Sequence, residues 1–320
     1  MPDPEIVPLE SLGTLRIDAR PHPDWIVAAG DRVWVAGVEP GVAVFRAATG
    51  ERVGSVAIDG ELCGAPDVGF GSVWFPTSSA IHRVSVATHA VTARIPLVLP
   101  AEGEFTIGAG EGGVWAVLEP RGGSGRLARI DPVSDRVTEV LQVPLGAWSV
   151  RAAHGWLWVA CPSEDRILGI DPADGAVVGG IATGGGPRFL VAGADGVWVL
   201  NQTSGSVTHI DASGRVVATV DVDGGPMKGG DLAVGLGSVW VRGTTELVAR
   251  IDPERHALVA RLGEPTVGSA SVAALDGGVW ASAGAEGWLI RIPMDAGSDA
   301  GRSRRTSQAT PRSSGSSSKK

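Results

Sequence analysis

Short apolar runs alternate with turns rich in glycine and aspartate along most of this chain, and one apolar pair keeps returning. Val33-Trp34, Val73-Trp74, Val114-Trp115, Leu157-Trp158, Val197-Trp198, Val239-Trp240 and Val279-Trp280 set the tryptophans 40, 41, 43, 40, 42 and 40 residues apart. Self-similarity at about forty residues marks a radial or stacked repeat. Each unit reads as four strands, a to d. In the fifth unit they cover 187–193, 196–200, 206–210 and 215–220, β-branched runs bounded by Gly, Asp, Asn and Ser. The a–b turns are glycine-rich, as at Gly71-Ser72, Gly112-Gly113, Gly237-Ser238 and Gly277-Gly278, because a tight hairpin needs positive φ. Strand c ends in Ile-Asp-Pro at Ile130-Asp131-Pro132, Ile170-Asp171-Pro172 and Ile251-Asp252-Pro253. An aspartate there bonds the backbone that follows it and the proline pre-sets the turn, so these carboxylates read as turn formers rather than acids.

Four short strands repeated radially make propeller blades, with the tryptophan as the large apolar body between neighbouring sheets. The fold class that follows is all-β: a seven-bladed β-propeller with four antiparallel strands per blade. The last unit, 271–293, has strands a, b and c but no d. Residues 12–18 match the d strand of the first unit, 53–59, position for position. They are therefore expected to complete blade seven and close the ring, removing the edges an open array would expose. The expected organisation is a propeller over 1–295 followed by a disordered, basic, Ser- and Arg-rich tail over 296–320.

Charge changes the picture of partners. The tail holds Arg302, Arg304, Arg305, Arg312, Lys319 and Lys320 against Asp299, a net of +5 where the whole chain is −8, so the remainder stands at −13. An acidic body argues against nucleic acid, which needs a clustered basic face. No 18-residue apolar run is present, so no membrane span is expected. The start shows neither a basic nor an apolar leader region, and Cys63 and Cys161 lack metal or CxxC spacing. Reduced structural thiols and a cytoplasmic location are expected, or a secreted one if a leader has been removed. A monomer is expected.

In a propeller the d–a and b–c connections share one face around the central channel, and loops on a rigid scaffold carry function. Trp25, Phe105, Trp148 and Phe189 fall just ahead of strand a and are expected either to form an aromatic rim for a flat ligand or to plug the channel mouth or pack blade to blade. Arg151, Arg188, Lys228 and Arg242, from blades four to six, are candidates for a carboxylate or phosphate. The alternative is pairing with Asp231, Glu164 or Glu246. Asp24, Glu39, Asp67, Glu104 and Glu119 supply an acidic half from blades one to three, and Asn201 adds a polar group in blade five. Catalytic candidates are few: His22 as a general base near Asp24, Cys161 as a thiol nucleophile, and Glu119, Glu246 and Glu286 as loop carboxylates. The glycine runs at 122–125 and 184–187 precede no helix and are turns rather than phosphate cradles. Residues 221–225 begin like a calcium loop but lack its later ligands.

The repeated Gly-x-Gly-Ser-Val-Trp-Val and Arg-Ile-Asp-Pro, as at 235–241 and 250–253, resemble two bacterial propeller groups: the YVTN-type surface-layer-like propellers and the virginiamycin B (streptogramin) lyase-like group. The resemblance spans residues 10 to 293 and implies a seven-bladed ring. For the lyases it also implies magnesium held by carboxylates three residues after the blade tryptophan, with a nearby histidine as base. The equivalent positions here are Gly37, Thr77, Leu118, Cys161, Asn201, Gly243 and Ala283, none of them acidic. The leading expectation is a propeller that binds a small polar or aromatic ligand, or a peptide, without a cofactor. A magnesium-assisted lyase and a protein-interaction scaffold tethered by the tail are the alternatives.

Overall fold

The computed structural model describes residues 3–38, 41–100, 105–266 and 270–294, and the proposed tail lies outside them. Seven four-stranded antiparallel sheets succeed one another in chain order. Blade one runs through Ile26–Ala29, Arg32–Val38, Gly41–Arg46 and Arg52–Ala57, and blade four through Ser149–Ala153, Trp156–Cys161, Arg166–Ile170 and Val177–Ala182. Blade seven takes its outer strand from the N-terminus. Leu15–Asp18 pairs antiparallel with the third strand of that blade, Leu15 opposite Arg291 and Asp18 opposite Trp288. The ring closes as the sequence comparison of 12–18 with 53–59 anticipates.

Two short parallel strand pairings among the described residues lie outside the four-strand pattern. Ile6–Val7 adds to the outer edge of blade six in parallel, Ile6 opposite Arg261 and Val7 opposite Leu262. Gly64–Ala65 and Phe105–Thr106 form a short parallel ribbon ahead of blades two and three.

The seven blade tryptophans are among the largest fully buried side chains. Four of their indole N–H groups donate to a carbonyl at the a–b turn: Trp74 to Gly69 O (3.1 Å), Trp115 to Gly110 O (3.1 Å), Trp158 to Ala153 O (2.9 Å) and Trp240 to Gly235 O (2.9 Å). A buried indole N–H usually finds such a partner, but Trp34 and Trp280 are as deeply buried with none for theirs among the described residues. The turns of blades two, three, four and six are two-residue hairpins with both central residues at positive φ, as at Glu111-Gly112 (49° and 74°) and His154-Gly155 (57° and 80°).

Opposite the tryptophan on strand c stands Arg83, Arg129 or Arg250 in blades two, three and six, its guanidinium 5.1, 5.5 and 5.5 Å from the indole centroid. The first residue of Arg-Ile-Asp-Pro is thus a cation laid on the ring. The aspartates that follow are turn formers. Asp131 accepts from the N–H groups of Val133 and Ser134 (both 3.1 Å), Asp171 from Ala173 (2.8 Å) and Asp252 from Glu254 and Arg255 (2.9 and 3.0 Å).

Candidate functional site

The channel is walled by the seven a strands, and the tryptophan register aligns them. Opposite the blade tryptophans stand Val27, Asp67, Gly108, Arg151, Val191, Ala233 and Ala273. Two residues earlier, toward the face of the d–a loops, come Trp25, Ala65, Thr106, Ser149, Phe189, Asp231 and Ser271. Side chains alternate along a strand, so each set forms one layer.

The outer layer is closed by aromatic contact. Trp25 and Phe189 come from blades one and five, yet their ring centroids lie 5.7 Å apart at 54°, both residues being at most 4% exposed. They belong to a cluster with Ala36, Ala65, Met227 and Leu232 that spans the channel mouth. Of the roles expected for the aromatic set, these rings take the plug. Trp148 does not join them. Ser149 occupies the equivalent register, and the one-residue offset turns Trp148 to the other side of its strand, where Arg188 covers it at 4.7 Å. Phe105 precedes Thr106 by the same offset, and its side chain lies outside the described residues.

Polar members of that layer join blades. Ser271 Oγ–H donates to Asp231 (2.5 Å) and accepts from the N–H of Ile26 (3.1 Å), linking blades six, seven and one. The N–H of Thr106 donates to Ser149 Oγ (3.1 Å) between blades three and four. Burial pushes the Asp231 carboxyl up to about 6, opposed by its hydrogen bonds from Ser271 and the backbone and by the nearby Arg151 charge.

One layer deeper, Arg151 reaches from blade four to Asp67 in blade two at 2.6 Å, both side chains about one-sixth exposed or less. Its Nε–H donates to Leu190 O in blade five (3.1 Å), and Asp67 also accepts from the N–H of Ala109 (2.8 Å). A buried guanidinium needs such satisfaction, and here blades two and five supply its acceptors while blade three supports the Asp67 carboxylate.

The four expected cations therefore do not converge. Arg151 sits inside the channel on Asp67, Arg188 covers Trp148 and Lys228 is exposed. Arg242 is 1% exposed and donates to the carbonyls of Ser282 (3.2 Å) and Gly243 (2.6 Å) and to Thr266 Oγ1. Desolvation pulls its guanidinium down to about 10 against the pull of Glu286, Glu246 and Asp223. Asn201 is wholly buried and donates to Ser206 Oγ (3.1 Å) and Thr208 Oγ1 (2.9 Å), a ladder within blade five.

The catalytic candidates are equally dispersed. Cys161 is 0% exposed and burial pushes its thiol up to about 11, which disfavours the thiolate a nucleophile needs. Glu246 is buried and paired with Arg261, with Thr245 Oγ1 donating to it at 2.8 Å. Glu286 lines a groove of about 410 Å³ with Glu10, Arg16, Glu264 and Trp288, outside the channel. His22 is exposed at the rim. The side chain of Glu119 lies outside the described residues, as do Glu39 and Glu104. Among the described residues no three His, Cys, Asp or Glu side chains come together as metal ligands. The positions at which the resemblance implies carboxylates, Gly37, Thr77, Leu118, Cys161, Asn201, Gly243 and Ala283, supply none.

On the opposite face the structure gathers residues that the strand pattern alone leaves scattered. His209 stacks on Trp198 with centroids 4.2 Å apart and planes at 2°, and its Nδ1 lies 2.9 Å from His256 Nε2 in the next blade. Asp195 lies 3.3 Å from His209 Nε2. Burial pulls the His209 imidazole below its ordinary value, partly opposed by Asp195. The sequence signal was present: His209 occupies the place of Arg in the Arg-Ile-Asp motif.

The chain's structure is similar to that of the Pan2 WD40 domain of Neurospora crassa, with a TM-score of 0.65 over 89% of this chain and 95% of that one, at 13% identity. The sequence matches no family model, and no curated protein matches it. At that identity the likeness establishes the fold. It is a seven-bladed propeller. No helix of the described residues is long and apolar enough to cross a membrane.

Proposed function

We propose that this propeller is a non-catalytic scaffold that holds a polypeptide segment on its loop face. The observation that carries the reading is the filled channel: Trp25 on Phe189 above, Arg151 on Asp67 below. A small-molecule site at the mouth would need that space, whereas a peptide needs only the surface around it. The surface has a basic and aromatic sector, where the Arg188–Trp148 stack and the exposed Lys228 stand on the connections into blades four to six. An acidic peptide suits that sector, because charges at a rim steer association and set partner choice. The similarity to a WD40 domain supports the architecture such a scaffold requires.

The test is selection of a phage-displayed random peptide library on the immobilised protein. Acidic peptides should emerge, and the combined variant Arg188→Glu, Lys228→Glu should weaken them about tenfold or more, with binding also falling as salt rises. Selected peptides that bind this variant as well as wild type would overturn the loop-face reading.

A further inference from the structure

Blade four departs from the other blades at its outer edge. Its d strand, Val177–Ala182, is hydrogen-bonded on one side alone and carries no charged residue. Val177 and Val178 are 46% and 61% exposed. The other outer strands each include a charge: Arg52, Arg94, Arg136 with Glu139, Asp221, Arg261, and Arg16 with Asp18 on the closing strand. In blade six Ile6–Val7 covers the edge as well. Charge and cover are the devices by which soluble sheets prevent edge pairing, and blade four has neither.

Beside this edge, facing blade five, lies a notch of about 230 Å³ lined by Trp156, Trp158, Val178, Ile181 and Ser213. Its origin is a cross-strand pair of glycines, Gly169 opposite Gly179. The same register holds Arg129 opposite Glu139 in blade three and His209 opposite Ala218 in blade five. A Cβ at Gly169 or Gly179 would meet no atom within 4 Å. Two side chains are thus missing together, next to a half-buried tryptophan.

We propose that blade four docks an extended, uncharged segment of a partner polypeptide as a fifth strand, with one large apolar side chain in the notch beside Trp156. The proposal rests on the scaffold reading and adds a second contact, on the outer wall of the ring. The fold already accepts such a strand at blade six, where the N–H of Gly263 donates to Val7 O (2.9 Å) beyond the paired residues. Backbone hydrogen bonds supply affinity in strand addition and a pocket for an alternate side chain supplies selectivity. The occupant is uncharged because the edge strand carries no charge and the Arg166 side chain beside Gly180 is already paired with Glu164, and apolar at one position because Trp156, Val178 and Ile181 line the notch.

The same random peptide library provides the probe. A subset of selected peptides should be uncharged and alternate large apolar with small residues. Added to the full chain, they should slow hydrogen exchange of the 177–182 amides about tenfold or more. Gly179→Lys should reduce their affinity by a similar factor, and so should Val178→Lys, at an exposed site where folding is not at stake. Peptides that bind without protecting 177–182, or that bind both variants as wild type, overturn the edge proposal. The scaffold reading then stands or falls separately on the Arg188 and Lys228 variant. Protection of 177–182 that rises with protein concentration and no peptide identifies a second copy as the occupant and also overturns the proposal. A library that yields no binder sinks both.

Discussion

Arg151 shows how a single residue decides what the channel is. A guanidinium on an inner strand reads from sequence as an anion receptor, yet this one is met at 2.6 Å by Asp67 from a blade two positions away. The pair's worth lies in mutual satisfaction, because removing one partner leaves the other charge buried and unmatched. Arg151→Ala should destabilise the fold by about 3 kcal/mol, whereas the double variant Arg151→Met, Asp67→Asn should recover much of that loss. Chemical denaturation of the two variants checks it, and equal losses would show that the pair is not coupled. Cys161 and Glu246 make the same point. Each has the chemistry of a catalytic group, and each is enclosed: the thiol is pushed up to about 11 and the carboxylate is held by Arg261.

At the scale of elements, two short N-terminal segments do different work. Leu15–Asp18 is the fourth strand of blade seven, while Ile6–Val7 is a fifth strand on a blade already complete. Removal of residues 3–7 should leave a closed, folded ring with a modest loss of melting temperature. Removal of 3–18 should open blade seven, expose the edge of its third strand, Trp288–Pro293, and produce aggregation visible by size-exclusion chromatography. A monomeric, cooperatively melting protein lacking 3–18 would mean that closure by this strand does not hold the ring. The motif Arg-Ile-Asp-Pro is likewise an element in miniature. Its arginine lies on the blade tryptophan, its isoleucine enters the core and its aspartate ties the turn.

For the whole molecule, two buried ionisable groups on opposite faces give stability opposite pH slopes. Burial raises the Asp231 carboxyl from 3.8 to about 6, so the native state holds its proton more tightly than the unfolded chain does. Its contribution is present at low pH and is lost as pH climbs through about 6. Burial lowers His209 from 6.5, so the unfolded chain binds that proton better and stability is lost as pH falls below 6.5. Relative to wild type, Asp231→Asn should therefore gain stability progressively between about pH 4 and 6 and level off above. His209→Gln should show its relative gain on acidification from about pH 6.5 downward. Denaturant midpoints across pH 4 to 8 measure both. A difference curve that is flat for either variant would remove that residue from the account.

The forty-residue period, the four-strand unit and the spare N-terminal strand were all legible in the residues, because they rest on local chemistry: alternation, turn-forming aspartates, glycines at positive φ and a tryptophan per unit. So was the kind of residue lining the channel. What local chemistry does not contain is which lining residues meet. Trp25 reaches Phe189 and Arg151 reaches Asp67 only because closing the ring brings together strands more than eighty residues apart, and a one-residue offset in register turned Trp148 away from that company. Side-chain direction on a strand flips with every residue, so the site was decided by tertiary register even though every residue in it could be named from the sequence.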